Sequence, residues 1–141
     1  MNKRKILSTI LLGMGLTAYS QDTFKCMLTN SDYDVFMQLN LYEENIKIPG
    51  QEILGETYGY LKKTTDSRVW VITDVEIAED GKSANIEMIN DYGSEDLTAT
   101  ITLQEDSTYI LKQVTGSTIK VAGKGKWIKL PKTLTFQKNK K

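Results

Sequence analysis

Residues 68–103 read RVWVITDVEIAEDGKSANIEMINDYGSEDLTATITL, and they carry the strongest structural signal in the chain. Leu97, Ala99, Ile101 and Leu103 alternate with Thr98, Thr100 and Thr102. That period of two belongs to a strand with one face in a core and the other in water. Ala84, Ile86 and Met88 alternate in the same way with Asn85 and Glu87. Ahead of them, Val69 to Ile72 is apolar on both sides, whereas Val75 and Ile77 later stand against Asp74 and Glu76. Asp80-Gly81 punctuates the first boundary and Asp91-Tyr92-Gly93-Ser94 the second; glycine suits tight turns because it takes positive φ without a steric cost. Three antiparallel strands are expected, with Val71, Val75, Ile86, Met88, Ala99, Ile101 and Leu103 facing one interior.

The alternation continues on both sides. Phe24, Cys26 and Leu28 suggest a first short strand, and Val35, Met37, Leu39 and Leu41 a second. Pro49-Gly50 marks a turn, since proline cannot donate to a central ladder. Ile53 to Leu61 reads as a third strand with Gly55 and Gly59 inside it, glycines that mark a bulge or bend. Beyond the quoted stretch, Tyr109 to Val114 reads as a strand, and Leu134 with Phe136 as a last one. Between them Ile119 and Val121 share a parity with Trp127 across Gly123-Lys124-Gly125. This run is a tight hairpin or one bulged strand, and the hairpin is the preferred reading. About eight to ten strands with short connections and no amphipathic helix imply an all-β fold. The expected architecture is an antiparallel up-and-down meander, closed or nearly closed into a barrel; the alternative is a two-layer β-sandwich.

The 141 residues, 40% hydrophobic and 26% charged, suit one domain with one core. Met1 to Ser20 has the order of a secretory signal peptide: Lys3-Arg4-Lys5, then the uncharged run Ile6 to Ala18, then small residues at Ala18 and Ser20. The run is short for a membrane span. The expected product is a single β-barrel-like domain over 21–141, exported to the periplasm or beyond, without stable membrane insertion. Without the leader, 15 basic residues face 18 acidic ones, a charge of about −3.

The sequence contains no histidine and one cysteine, Cys26. Histidine-based acid–base catalysis, Ser-His-Asp and Cys-His nucleophiles and histidine metal sites are thereby excluded. A lone thiol forms no intrachain disulfide, and its expected state is buried and inert. A non-enzymatic protein is expected.

Three residue sets are candidates for function. Tyr58, Tyr60 and Trp70 share a parity in adjacent strands and, with Trp127, could line a ligand surface; core or cross-strand packing is the competing reading. Glu43-Glu44, Glu79-Asp80 and Glu105-Asp106 would fall in turns at the same end of an up-and-down sheet. Such a rim could offer calcium its oxygen ligands or pair carboxylates for glycoside hydrolysis; solvated turns are the competing reading. From Ser107 onward there is no acidic residue, only lysines at 112, 120, 124, 126, 129, 132, 138, 140 and 141. That cluster could meet a polyanion, or guard a strand edge against aggregation. No recognition motif accompanies it, and specific nucleic-acid binding is not expected.

Gly125-Lys126-Trp127 resembles the Gly-x-Trp signature of lipocalins, secreted eight-stranded barrels that carry small apolar ligands. Here the motif lies near the carboxyl end rather than opening the first strand, and the usual disulfide partners are missing. The resemblance implies a barrel, and no binding residue is carried over. Leader, Gln21 and all-β body together also resemble uncharacterised exported proteins of Bacteroidetes-type bacteria, which implies a compartment. Three functions compete: a binding protein with a small apolar or amphiphilic ligand in an open barrel, a protein–protein module such as a periplasmic inhibitor or immunity protein, and, disfavoured by the missing histidine, an enzyme that uses carboxylates alone. A barrel filled by its own side chains would leave no room for the first.

Overall fold

The computed structural model describes residues 23–90 and 95–139. The leader read over Met1–Ser20, the cleavage point before Gln21, the turn at 91–94 and the last two lysines lie outside the described residues.

In chain order the strands are β1 (Lys25–Asn30), β2 (Val35–Asn40), β3 (Ile46–Lys47), β4 (Glu56–Thr57), β5 (Gly59–Lys63), β6 (Val69–Ile77), β7 (Ser83–Asn90), β8 (Asp96–Leu103), β9 (Thr108–Gly116), β10 (Lys120–Gly123), β11 (Lys126–Lys129) and β12 (Thr133–Lys138). Eight of them close into one antiparallel barrel in the order β1-β2-β5-β6-β7-β8-β9-β12 and back to β1. The barrel is the expected meander, and its continuous ring rules out the sandwich. A seam of two register pairs, Leu28 with Lys138 and Thr29 with Gln137, joins first strand to last. The Asn139 N–H also donates to the Met27 carbonyl at 2.8 Å, and the Asn30 amide to Thr135 at 2.7 Å.

Alternation predicted the interior well. Ile86, Met88, Ala99 and Ile101 are buried in the main core, and Val75 and Leu103 pack against it half-buried. Val71 is the exception: it belongs to a separate cluster with Tyr60, Val69 and Ile48. The cause is a bulge between Ile72 and Asp74 in the β6–β7 register. An extra residue on one strand reverses which parity faces in. Trp70 and Ile72 therefore point inward before the bulge, and Val75 and Ile77 after it.

The segment expected as one strand from Ile53 to Leu61 is broken up. Glu52–Leu54 forms a single 3-10 turn, and two strands follow. Ile53 is 93% exposed. The unpredicted β3 pairs with β4, and Ile48, just after β3, buries itself on the outer face formed by Phe36, Tyr60, Val69 and Val71. Gly59, at φ +148, sits so close to Gln38 that a Cβ would collide with its carbonyl oxygen.

The β9–β12 connection crosses the barrel mouth. The Trp70 indole N–H, on the opposite wall, donates to the Lys120 carbonyl at 3.2 Å. Ile119, Val121 and Leu130 join the main core. At its base the Gln113 side chain accepts from the Ile119 N–H at 3.1 Å and donates to the Pro131 carbonyl at 3.3 Å. The other mouth is stopped by Phe24, which is fully buried and meets Tyr109 edge to face at 6.2 Å. The Tyr109 hydroxyl donates to the Thr23 carbonyl at 2.6 Å. Between the stoppers, Leu28, Met37, Leu61, Trp70, Met88 and Phe136 fill the interior with at most 2% exposure each.

Candidate functional site

β10 and β11 form the preferred hairpin, with Gly123 opposite Lys126 and Lys124-Gly125 as its two-residue turn. Both turn residues have positive φ, +50 and +83, as a twist-matched hairpin turn requires. A two-residue turn pairs odd positions with even ones: Val121 lies opposite Ile128 and Ala122 opposite Trp127. Trp127 therefore does not share a face with Val121, contrary to the parity reading, and is 48% exposed.

Over Trp127 lies Arg68, its guanidinium 4.9 Å from the ring centroid. Two hydrogen bonds to the Asp66 carboxylate, at 3.1 and 3.2 Å, hold that guanidinium in a fork. The hairpin and the 64–68 loop so bound a surface groove of about 740 Å³, which Lys63, Asp34, Lys124 and Lys126 also line. Lys63 lies 3.8 Å from the Asp34 carboxylate and donates to the Tyr33 carbonyl at 3.4 Å. A smaller, largely apolar groove of about 270 Å³ lies along Met27, Thr29 and Phe36.

The expected aromatic surface is divided. Tyr60 pairs with Val71, and Trp70 with Leu61, so Tyr60 stands on the outer face and Trp70 inside. Tyr58 packs half-buried against the main core, and Trp127 lies across the mouth on the hairpin. Phe36 meets Tyr60 edge to face at 5.9 Å. Burial pushes the Tyr60 phenol above its ordinary pKa.

The topology does place the turns of Glu43-Glu44, Glu79-Asp80 and Glu105-Asp106 at one end, opposite the hairpin. Three of these acids serve their own turns. Glu43 accepts from the Asn45 amide at 3.1 Å, Asp80 from the Lys82 N–H at 2.9 Å, and Asp106 from the Thr108 hydroxyl and N–H. The Thr108 bonds hold the Asp106 carboxyl below its ordinary pKa. Among the described residues, no three carboxylates or thiols assemble into a group that could hold a metal ion. Cys26, expected buried, is half-buried, its thiol 3.6 Å from the Thr23 carbonyl.

Lys63, Asp66 and Arg68 are absent from the sequence-derived candidates. They approach the hairpin only because the β9–β12 connection spans the mouth, and no local spacing encodes that. No protein family, characterised protein or solved structure matches this chain.

Proposed function

We propose that this protein is an exported, non-enzymatic binding protein whose partner is another protein, in the manner of an inhibitor or immunity module. The filled interior carries the reading. A carrier of small apolar ligands needs space inside its barrel, and here Trp70, Met37, Met88 and Phe136 occupy the space such a ligand would take. Binding is thereby left to the surface, where Trp127 and Arg68 form an exposed pair of the residue types that dominate protein interfaces.

Among the described residues no helix is long and apolar enough to cross a membrane. The outer face of β7 and β9 carries exposed Asn85, Glu87 and Lys112, whereas a spanning barrel turns an apolar band outward. That polar outer face favours an aqueous setting.

A native mass spectrum of the protein purified from the exported fraction tests the reading. The expected mass is that of the chain from Gln21 with no retained small molecule, unchanged by chelator. A stoichiometric lipid or other amphiphile would overturn the reading in favour of a ligand carrier.

A further inference from the structure

We infer that the groove between the hairpin and the 64–68 loop docks an acidic segment of the partner protein, with carboxylates on Lys124 and Lys126 and an apolar side chain beside Trp127. This rests on the reading that the partner is a protein, and it names the surface and the chemistry.

Charge is the first observation. The two acids of the groove are already paired, Asp34 with Lys63 and Asp66 with Arg68. Among the described residues Lys124 and Lys126 have no ion-pair partner, and both are exposed. The groove therefore holds two unpaired positive charges at the hairpin tip, on a protein whose mature form is acidic.

Backbone conformation is the second. Lys124 sits at φ +50, a position that asparagine or glycine occupies at less cost. A side chain held in a backbone conformation it disfavours is a pointer to function, and Lys124 shares the feature with Asp34 of the same groove. What lysine adds there is a charge on a long, mobile stem.

The third is the Arg68–Trp127 pair, oriented by Asp66. It offers an apolar surface that need not be assembled on binding, which lowers the ordering cost of association.

The same pattern selects a peptide over a polyanion. The Asp34 side chain is 53% exposed and its contact with Lys63 is long, at 3.8 Å, so its carboxylate still interrupts the positive surface. An evenly charged strand of phosphates or sulfates would be driven against it. A peptide can space its carboxylates to avoid Asp34 and still reach the two lysines.

The experiment is selection of a random dodecapeptide library on phage against the full mature protein. Selected peptides are then titrated against the parent, Lys124→Gln/Lys126→Gln and Trp127→Ala. Circular dichroism of both variants should match the parent's. Lys124→Gln/Lys126→Gln should melt close to the parent because its side chains are exposed, and Trp127→Ala somewhat lower through loss of its pair with Arg68. The expected peptides are rich in Asp and Glu with an apolar residue among them. They should bind both variants about tenfold more weakly or worse, and lose affinity as salt rises. Selection without acidic enrichment, or equal affinity for parent and variants, overturns the groove and leaves a protein partner elsewhere. A library yielding no binder also overturns it; if the native mass spectrum then shows a retained ligand, the protein-partner reading falls as well. Heparin binding through the same lysines as tightly as the selected peptides would replace the peptide with a polyanion.

Discussion

The Arg68 guanidinium stacks 4.9 Å from the Trp127 ring centroid while its nitrogens grip the Asp66 carboxylate. Asp66 thus aims a cation at an indole that belongs to a different part of the chain. An exposed pair of this kind is worth about 0.5–1 kcal/mol. A double-mutant cycle with Arg68→Ala and Trp127→Ala, read by urea unfolding, should return a coupling of that size. Strict additivity would mean that the two side chains are merely neighbours.

Replacing Lys124 by glycine should stabilise the fold by about 1 kcal/mol, because an L-residue in the left-handed region pays a cost that glycine avoids. The melting temperature should rise while affinity for acidic peptides falls. A variant that melts lower than the parent would show that the Lys124 side chain contributes more to stability than its backbone strain removes.

In β8, Ile101 is fully buried and its neighbour Thr100 only half so. Ile101→Ala should cost about 2–5 kcal/mol, as large-to-small core changes do, against less than about 1 kcal/mol for Thr100→Ala. Equal losses in chemical unfolding would contradict a barrel wall with one wet face.

Tyr109 ties the amino-terminal stopper to the barrel, and burial, aided by the nearby Cys26 thiol, pushes its phenol well above the ordinary 10.0. The folded state therefore holds this proton more tightly than the unfolded chain does. The stability so gained is complete below pH 10.0 and is lost as pH climbs toward the folded pKa. Tyr109→Phe should cost about 1 kcal/mol at neutral pH, by removing the phenol's hydrogen bond to the Thr23 carbonyl. It should also flatten the alkaline loss of stability. Parallel pH–stability curves for parent and variant above pH 10.0 would argue against a neutral buried phenol.

Export should leave Gln21 as the first residue. Amino-terminal sequencing of protein recovered from the exported fraction checks this, and an intact Met1 would sink it.

The barrel was legible because its signal is local. Thr98, Thr100 and Thr102 alternating with Ala99 and Ile101 require a one-sided strand wherever that strand sits. Val71 was misplaced because a bulge costs one residue and leaves no compositional trace; Thr73 looks like any strand threonine. Trp127 was assigned to the wrong face because a two-residue turn exchanges odd and even positions. The pairing of Trp127 with Arg68 was illegible for a different reason. It depends on how far the β9–β12 connection reaches across the mouth, which is set by the anchoring of Ile119, Val121 and Leu130 in the core. Of the candidate site, the exposed lysines and Trp127 could be read in advance; the opposing wall could not.

The seam between β1 and β12 brings the two ends of the described chain side by side, at the mouth opposite the hairpin. A short flexible linker from Asn139 back to Thr23 would therefore span little distance, and the ring could be reopened at the exposed Asp80-Gly81 turn with every strand pairing kept. The same geometry governs immobilisation. A tether attached beyond Asn139 would orient the barrel with Lys124 and Trp127 facing away from the support, free to meet whatever arrives from solution.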